Sequence, residues 1–181
     1  QEKLGTVYEK TQRLQIIAAG IAHDLHVSDS VREDAVTAAR CTKMDLVSNV
    51  VSEFPELQGL MGEYYYIAEH PDKKNVAQAI REHYMPRFAN DALPETVEGS
   101  IVSVADKIDT IVGCYYAGII PTGSQDPYAL RRQALGLANI IIDKKWSLSL
   151  YRLINIACEA YASTGLQFGD DKTNATIHQF F

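Results

Sequence analysis

The stretch that decides the fold is residues 99–120, GSIVSVADKIDTIVGCYYAGII. It is rich in Val and Ile, which are common in strands, so its period has to distinguish a strand from a helix. The apolar residues recur three and four positions apart instead of alternating, at Ile101, Val104, Ala105, Ile108, Ile111 and Val112. The stretch is therefore predicted to be a helix.

The same helical spacing continues on both sides of this stretch. One predicted helix ends near Leu25, a second runs from Val31 to Leu46, and Asp126 with Pro127 is predicted to start the helix after residues 99–120. The last helix is predicted from about Leu148 to Ala162, with 170–181 as a trailing segment. The fold class is therefore all-α, a bundle of roughly seven or eight helices.

Length and composition favour one globular unit. The chain has 181 residues, 46% of them hydrophobic, and a formal net charge of −6. That charge argues against a protein that binds nucleic acid over its whole surface, and we expect neither DNA nor a membrane as a partner. Residues 1–145 are predicted to form the helical domain, and 146–181 a C-terminal helix and tail that extend it.

The sequence IAHDLH, residues 21–26, contains two histidines and an aspartate at a spacing typical of metal ligands. At 100° per residue, however, His23 lies opposite the apolar stripe that contains Ile21 and Leu25, and Asp24 and His26 fall on its two flanks. Ligands must converge on one point to hold a metal. We therefore expect a solvated polar face here, without a metal.

Several ordered motifs resemble one known family. They are TKMDL (42–46), EFPELQGLMGEYY (53–65), AIREHYMP (79–86), VADKIDTIVG (104–113) and PTGSQDPYALRRQALG (121–136). In this order and spacing they resemble the β subunit of bacterial heterotetrameric glycyl-tRNA synthetase, over about residues 6 to 150. The match corresponds to an interior slice of that long subunit.

The resemblance implies a helical domain of the HD type, the fold of metal-dependent phosphohydrolases. In that pattern Asp106 matches the last metal ligand, and His83 falls in a segment that often carries further histidines. The central His-Asp pair should lie on the second helix, where this chain has Thr42 and Lys43. A protonated lysine cannot ligate a metal. The four residues therefore predict a vestigial pocket without metal, in which Lys43 pairs with Asp106.

The resemblance also implies a function. The chain would be part of a glycine–tRNA ligase, binding or positioning tRNA(Gly) and organising the β subunit in the cytoplasm. Its partners would be the α subunit, which activates glycine with ATP and Mg, and the other β-subunit domains. No cofactor is expected in this fragment, since its sequence has no nucleotide-binding motif.

The RNA-binding candidates are cationic side chains. The planar guanidinium group of arginine matches the geometry of phosphate oxygens. Arg131 and Arg132 of SQDPYALRR are therefore the leading candidates. The weaker candidates are Arg87, His83 and Lys107. Two alternatives remain open at this point: a working metal-dependent phosphohydrolase of the HD type, and a purely structural spacer.

Overall fold

A computed structural model describes residues 3–181 of the chain. Within that range the chain forms helices and no β-strand, which confirms the all-α prediction. Eight of the nine α-helices have nine residues or more, and α3 has five. They are α1 (Val7–Asp24), α2 (Asp29–Cys41), α3 (Asn49–Glu53), α4 (Leu60–Glu69), α5 (Lys74–Glu82), α6 (Val97–Tyr116), α7 (Leu130–Asp143), α8 (Leu150–Ser163) and α9 (Asp171–Phe180).

Helix α6 is the predicted helix of the opening stretch, and it lies at the centre of the bundle. Six other helices pack against it: α1, α2, α5, α7, α8 and α9. Its isoleucines at 101, 108 and 111 are fully buried, and each contributes about 1.5–3 kcal/mol through removal of apolar surface from water. This one helix therefore organises the core, and its polar residues are carried into the interior with it.

The start of α6 is fixed by side-chain caps. The Thr96 hydroxyl accepts a hydrogen bond from the Gly99 amide, 2.9 Å away. The buried carboxylate of Glu82, at the end of α5, accepts hydrogen bonds from the amides of Glu95 and Thr96, at 3.0 and 3.1 Å. These contacts satisfy amides that a helix start leaves without partners, and they fix α5 against α6.

Two predicted boundaries are wrong. Helix α2 ends at Cys41, so Thr42 and Lys43 follow it instead of lying on it. Helix α7 begins at Leu130, because Ala129 adopts a left-handed conformation and interrupts the helix. The Asp126 carboxylate still caps it, accepting from the amides of Leu130 and Arg131 at 2.7 and 3.0 Å.

The C-terminal segment is also more ordered than expected. Residues 170–181 are not a trailing segment: Asp170 caps helix α9, and Ile177 of that helix is fully buried. Helices α8 and α9 both pack against α6, so 146–181 shares the core of the preceding residues. Between residues 3 and 181, no helix is long and apolar enough to cross a membrane.

Candidate functional site: a lysine-filled pocket and a basic cleft

Three of the predicted pocket residues meet on one side of α6. Lys43, in a left-handed conformation just after α2, places its ammonium 3.3 Å from Asp106 Oδ2 and 3.0 Å from His83 Nε2. The predicted pairing of Lys43 with Asp106 is therefore confirmed. The Thr42 hydroxyl does not join this group and instead donates to the Ala39 carbonyl at 2.8 Å. Because α2 stops at Cys41, Thr42 faces back along its own helix.

The His83 ring is held as a neutral acceptor. It is fully buried, and its Nδ1 contacts the carbonyl oxygen of Ile80. A carbonyl only accepts, so Nδ1 carries the proton and Nε2 accepts from the Lys43 ammonium. Burial, followed by the charge of Lys43, lowers the pKa of His83 well below its usual range.

This geometry does not fit a metal ion. The lone pair of His83 Nε2 and an oxygen of Asp106, the two groups that could ligate one, already accept hydrogen bonds from Lys43. The positive charge of the ammonium also repels a second cation. Within residues 3–181, no group of three or more His, Cys, Asp or Glu side chains is arranged to hold a metal.

A second set of charges supports Asp106 from α1. Lys10 Nζ lies 3.0 Å from Asp106 Oδ1 and 2.7 Å from Asp109 Oδ2. Arg13 Nε lies 2.6 Å from Asp109 Oδ1, in a pair that is almost completely buried. Burial acts to raise the pKa of Asp106, but Lys10 and Lys43 outweigh it and hold that pKa well below its usual range. Asp106 is therefore a charged carboxylate between two lysines.

The sequence interpretation missed Lys10, Arg13 and Asp109. A usable signal exists: two cations three residues apart on α1 match two carboxylates three residues apart on α6. On each helix these side chains share a face with buried apolar neighbours. Opposite charges at equal spacing on two apolar helices indicate a buried ladder of ion pairs.

An electropositive cleft of about 500 Å³ opens over this cluster. Five cationic side chains and two carboxylates line it, in a chain whose net charge is −6. The cations are Lys10, Lys43, Arg87, Lys107 and Arg132, and the carboxylates are Glu56 and Asp106. Tyr84 and Tyr128 add aromatic surface. The chain therefore concentrates positive charge in one concave place.

The RNA-binding candidates differ in accessibility. Arg131 and Arg132 are exposed on α7, and Arg132 lines the cleft. Arg87 also lines it, but its guanidinium donates to the carbonyls of Glu56 and Gln58, at 3.3 and 2.9 Å, and so holds the EFPELQG loop. Lys107 is buried except where it meets the cleft, and His83 is fully buried. Of these candidates, the arginines are therefore accessible from the surface, whereas His83 is not.

The polar side chains of the IAHDLH stretch face away from the core, as expected, while Ile21 and Ala22 are buried in it. His23 is exposed, and Asp24 pairs with Arg152 of α8 at 3.1 Å. The His23 ring lies 3.2 Å from the Asp24 carboxylate and 6.4 Å, centre to centre, from the ring of His26, which follows the end of the helix. This stretch connects α1 to α8 and takes no part in the cleft.

The pH dependence of stability tests whether Lys107 is held in a desolvated position beside the charged cluster. Burial lowers its pKa to about 8, although Asp106 opposes that effect. The unfolded amine has a pKa of about 10.4, so between these values the unfolded chain binds more protons and this residue's contribution to stability rises with pH. The quantity to follow is the unfolding free energy of the protein minus that of the Lys107→Met variant. We expect this difference to rise by about 2–3 kcal/mol from about pH 7.5 to about pH 10.

Chemical denaturation across that pH range measures the difference. Taking the difference removes the contributions of all other titrating groups that the two proteins share. A difference that stays constant would show that the amine is not held in a desolvating environment.

Comparison with known proteins identifies the family. The family model described as glycyl-tRNA synthetase beta subunit matches residues 1–181. The glycine–tRNA ligase beta subunit of Oceanobacillus iheyensis is 46% identical over 182 residues, which is 100% of this chain and 26% of the relative. That of Moorella thermoacetica is 47% identical over 167 residues, 92% of this chain and 24% of the relative.

A further relative, the glycine–tRNA ligase beta subunit of Clostridioides difficile, is 47% identical over 182 residues, covering 100% of this chain and 26% of the relative. The chain thus spans about a quarter of the length of the curated relatives that it matches. With a family model matched from end to end and these relatives, the chain belongs to the glycyl-tRNA synthetase β subunit family.

Proposed function

We propose that this chain is part of a glycine–tRNA ligase and helps its β subunit to bind and position tRNA(Gly). The observation that carries the proposal is the cleft, where five cationic side chains converge in a chain of net charge −6. Phosphate contacts supply most of the affinity of proteins for nucleic acids. A local basic surface on an acidic chain favours contact with RNA at this place.

Helix α7 offers the most accessible contacts. The guanidinium groups of Arg131 and Arg132 are exposed and form no ion pair within residues 3–181. The Asp126 carboxylate is occupied by backbone amides of α7, so it does not neutralise them by pairing. Arginines free of internal partners keep their donors for phosphate oxygens. We propose these two side chains as direct contacts to the tRNA backbone.

A metal-dependent phosphohydrolase is the less favoured alternative. Catalysis by such a site requires ligand lone pairs directed at the metal. In this chain the Lys43 ammonium takes the Nε2 lone pair of His83 and donates to one oxygen of Asp106. We propose that the pocket is a vestigial metal site in which a lysine substitutes for the cation and holds three elements together.

Other parts of the proposal follow the family. The ligase's glycine activation, with ATP and Mg, would take place on the α subunit in the cytoplasm. The α subunit and the remaining β-subunit domains would be the protein partners. Residues 1–145 would form the degenerate HD-type domain, and 146–181 would extend the same unit.

The double substitution Arg131→Ala/Arg132→Ala in the assembled ligase tests the RNA role. We expect weaker tRNA binding and a salt slope of log K smaller by roughly one for each arginine that contacts a phosphate. Binding is measured by titration at several salt concentrations. The control Arg32→Ala/Arg40→Ala removes the same charge from exposed sites on α2 that do not line the cleft.

Unchanged affinity and salt slope for the α7 variant would remove the proposed RNA contact and favour a structural spacer. An equal loss in both double variants would show that net charge, and not this surface, controls binding.

A further inference from the structure

We propose that the basic cleft is a binding pocket for a phosphate monoester, the terminal phosphate of an RNA or the phosphate of a free nucleotide. This goes beyond the proposed function, because it assigns a discrete site to one end group and needs no contact with the rest of a tRNA. The cleft has positive charge at its floor, ammonium donors there without acceptors within residues 3–181, and a volume that suits such a ligand.

Lys107 is the strongest element of the floor. It is almost completely buried, and its ammonium donates to the Ser103 hydroxyl at 2.7 Å and to the Met85 carbonyl at 2.9 Å. Both acceptors are neutral, and Lys107 forms no ion pair within the described part of the chain. A buried cation without an anion is costly. An ammonium has three donors, so one remains for a ligand.

Lys43 presents a second unused donor. Its ammonium donates to His83 and Asp106 and lies 4.4 Å from the centre of the Tyr84 ring, which leaves one N–H without a hydrogen-bond acceptor among the described residues, and its side chain is 11% exposed at the cleft. Lys10 differs, because two carboxylates and the Thr110 hydroxyl already occupy it. The floor thus offers two ammonium groups to a ligand. Lys43 already pairs with the Asp106 carboxylate, whereas Lys107 forms no ion pair among the described residues.

The rim completes a pocket suited to a dianion. Arg132 lines the cleft with a guanidinium that forms no ion pair with any other residue from 3 to 181, and a guanidinium fork matches two phosphate oxygens. The hydroxyl of Tyr84, another lining residue, is buried and has no hydrogen-bond partner within residues 3–181. A volume of about 500 Å³ is within the range of small-molecule sites and would admit a mononucleotide.

Titration of this chain with AMP, adenosine and inorganic phosphate tests the pocket. We expect AMP and inorganic phosphate to bind in the millimolar range or tighter, to compete with each other, and adenosine to bind at least about tenfold more weakly than AMP. Calorimetry or chemical shifts of the lysine amines follow the binding. Competition between AMP and phosphate shows that the phosphate group is what the pocket recognises.

Two variants locate the site. Lys107→Met and Arg132→Ala are each expected to weaken AMP binding by about tenfold or more. Arg132 is exposed on α7, so its truncation leaves the core intact even if the Lys107 variant unfolds. The matched control is Lys172→Met, which removes an exposed lysine of α9 that does not line the cleft and should leave AMP affinity unchanged.

Two RNA hairpins of one sequence, with a 5′-phosphate or a 5′-hydroxyl, distinguish the sources of the phosphate. Tighter binding of the phosphorylated hairpin assigns the pocket to an RNA end, whereas equal binding of the hairpins with retained AMP binding assigns it to a free nucleotide. The proposal is overturned if AMP binds no tighter than adenosine, or if Arg132→Ala leaves AMP affinity unchanged. Such a result would not affect the proposed tRNA contact of α7, which is measured on the assembled ligase.

Discussion

Replacing Arg13 with methionine is expected to lower the free energy of unfolding by about 3–4 kcal/mol. Arg13 and Asp109 form a pair with side chains 2% and 1% exposed, joined through Nε at 2.6 Å and through a second nitrogen at 3.3 Å. Methionine fills similar space but leaves the buried carboxylate with Lys10 as its remaining cation. The substitution also removes the guanidinium that lies 4.1 Å from the centre of the Tyr161 ring.

Chemical denaturation of the chain measures this effect against a surface pair. The control is Arg152→Met, which breaks an ion pair with Asp24 whose side chains are 47% and 22% exposed. Exposed pairs contribute about 1 kcal/mol or less, because water and salt screen them. A loss of the same small size in both variants would contradict the buried ladder between α1 and α6.

Replacing Lys43 with methionine is the second large perturbation, with an expected loss of about 2–3 kcal/mol near neutral pH. The ammonium joins the segment after α2 to His83 and Asp106, and its removal leaves the His83 Nε2 acceptor without that donor. The loss is smaller than for Arg13, since Lys10 still lies 3.0 Å from Asp106 Oδ1. The backbone at position 43 is left-handed, and lysine and methionine adopt that conformation with similar strain. The backbone therefore contributes little to the difference in stability between the protein and the variant.

The Lys43 variant also has a pH signature. With Lys43 present, the pKa of His83 is held low by burial and by that charge, so the protein loses stability as the unfolded histidine takes up a proton below about pH 6.5. Without Lys43, His83 can protonate and supply a cation to Asp106. The stability difference between the protein and the variant should therefore shrink as the pH falls from about 7.5 to about 5.

Lys73→Met is the matched control for Lys43. It breaks an ion pair with Asp34 at 2.9 Å in which the lysine is 57% exposed, so a loss of stability much smaller than that of Lys43→Met is expected. If Lys43→Met is no more destabilising than this control, or if its deficit does not change with pH, the lysine does not hold the pocket together.

The fold was largely predictable from the sequence, because its central element carries an unambiguous signal. The helical spacing of 99–120 gave α6 within a few residues, and the capping and breaking residues placed the helices around it. The errors arose where tertiary contacts override local preference. In the EFPELQG loop the aromatic residue Phe54 is 54% exposed, whereas the buried carboxylate of Asp45 holds the loop by accepting a hydrogen bond from the Gly59 amide at 2.6 Å.

The site was only partly predictable. The resemblance placed Lys43, His83 and Asp106 together, because a family pattern carries spatial information that periodicity does not. It could not reveal Lys10 or Arg13, whose roles depend on how α1 lies across α6. Nor could it separate Arg132, which lines the cleft, from its neighbour Arg131, which does not, since that depends on where α7 begins.

Elemental analysis of the purified protein tests most directly whether a lysine has taken the place of a metal in this pocket. Since the Lys43 ammonium occupies the acceptors of His83 and Asp106, we predict no stoichiometric Mn, Fe or Zn and no phosphodiesterase turnover. Stoichiometric metal together with turnover, both lost on Asp106→Ala, would contradict that assignment and would make the chain a working metal-dependent hydrolase.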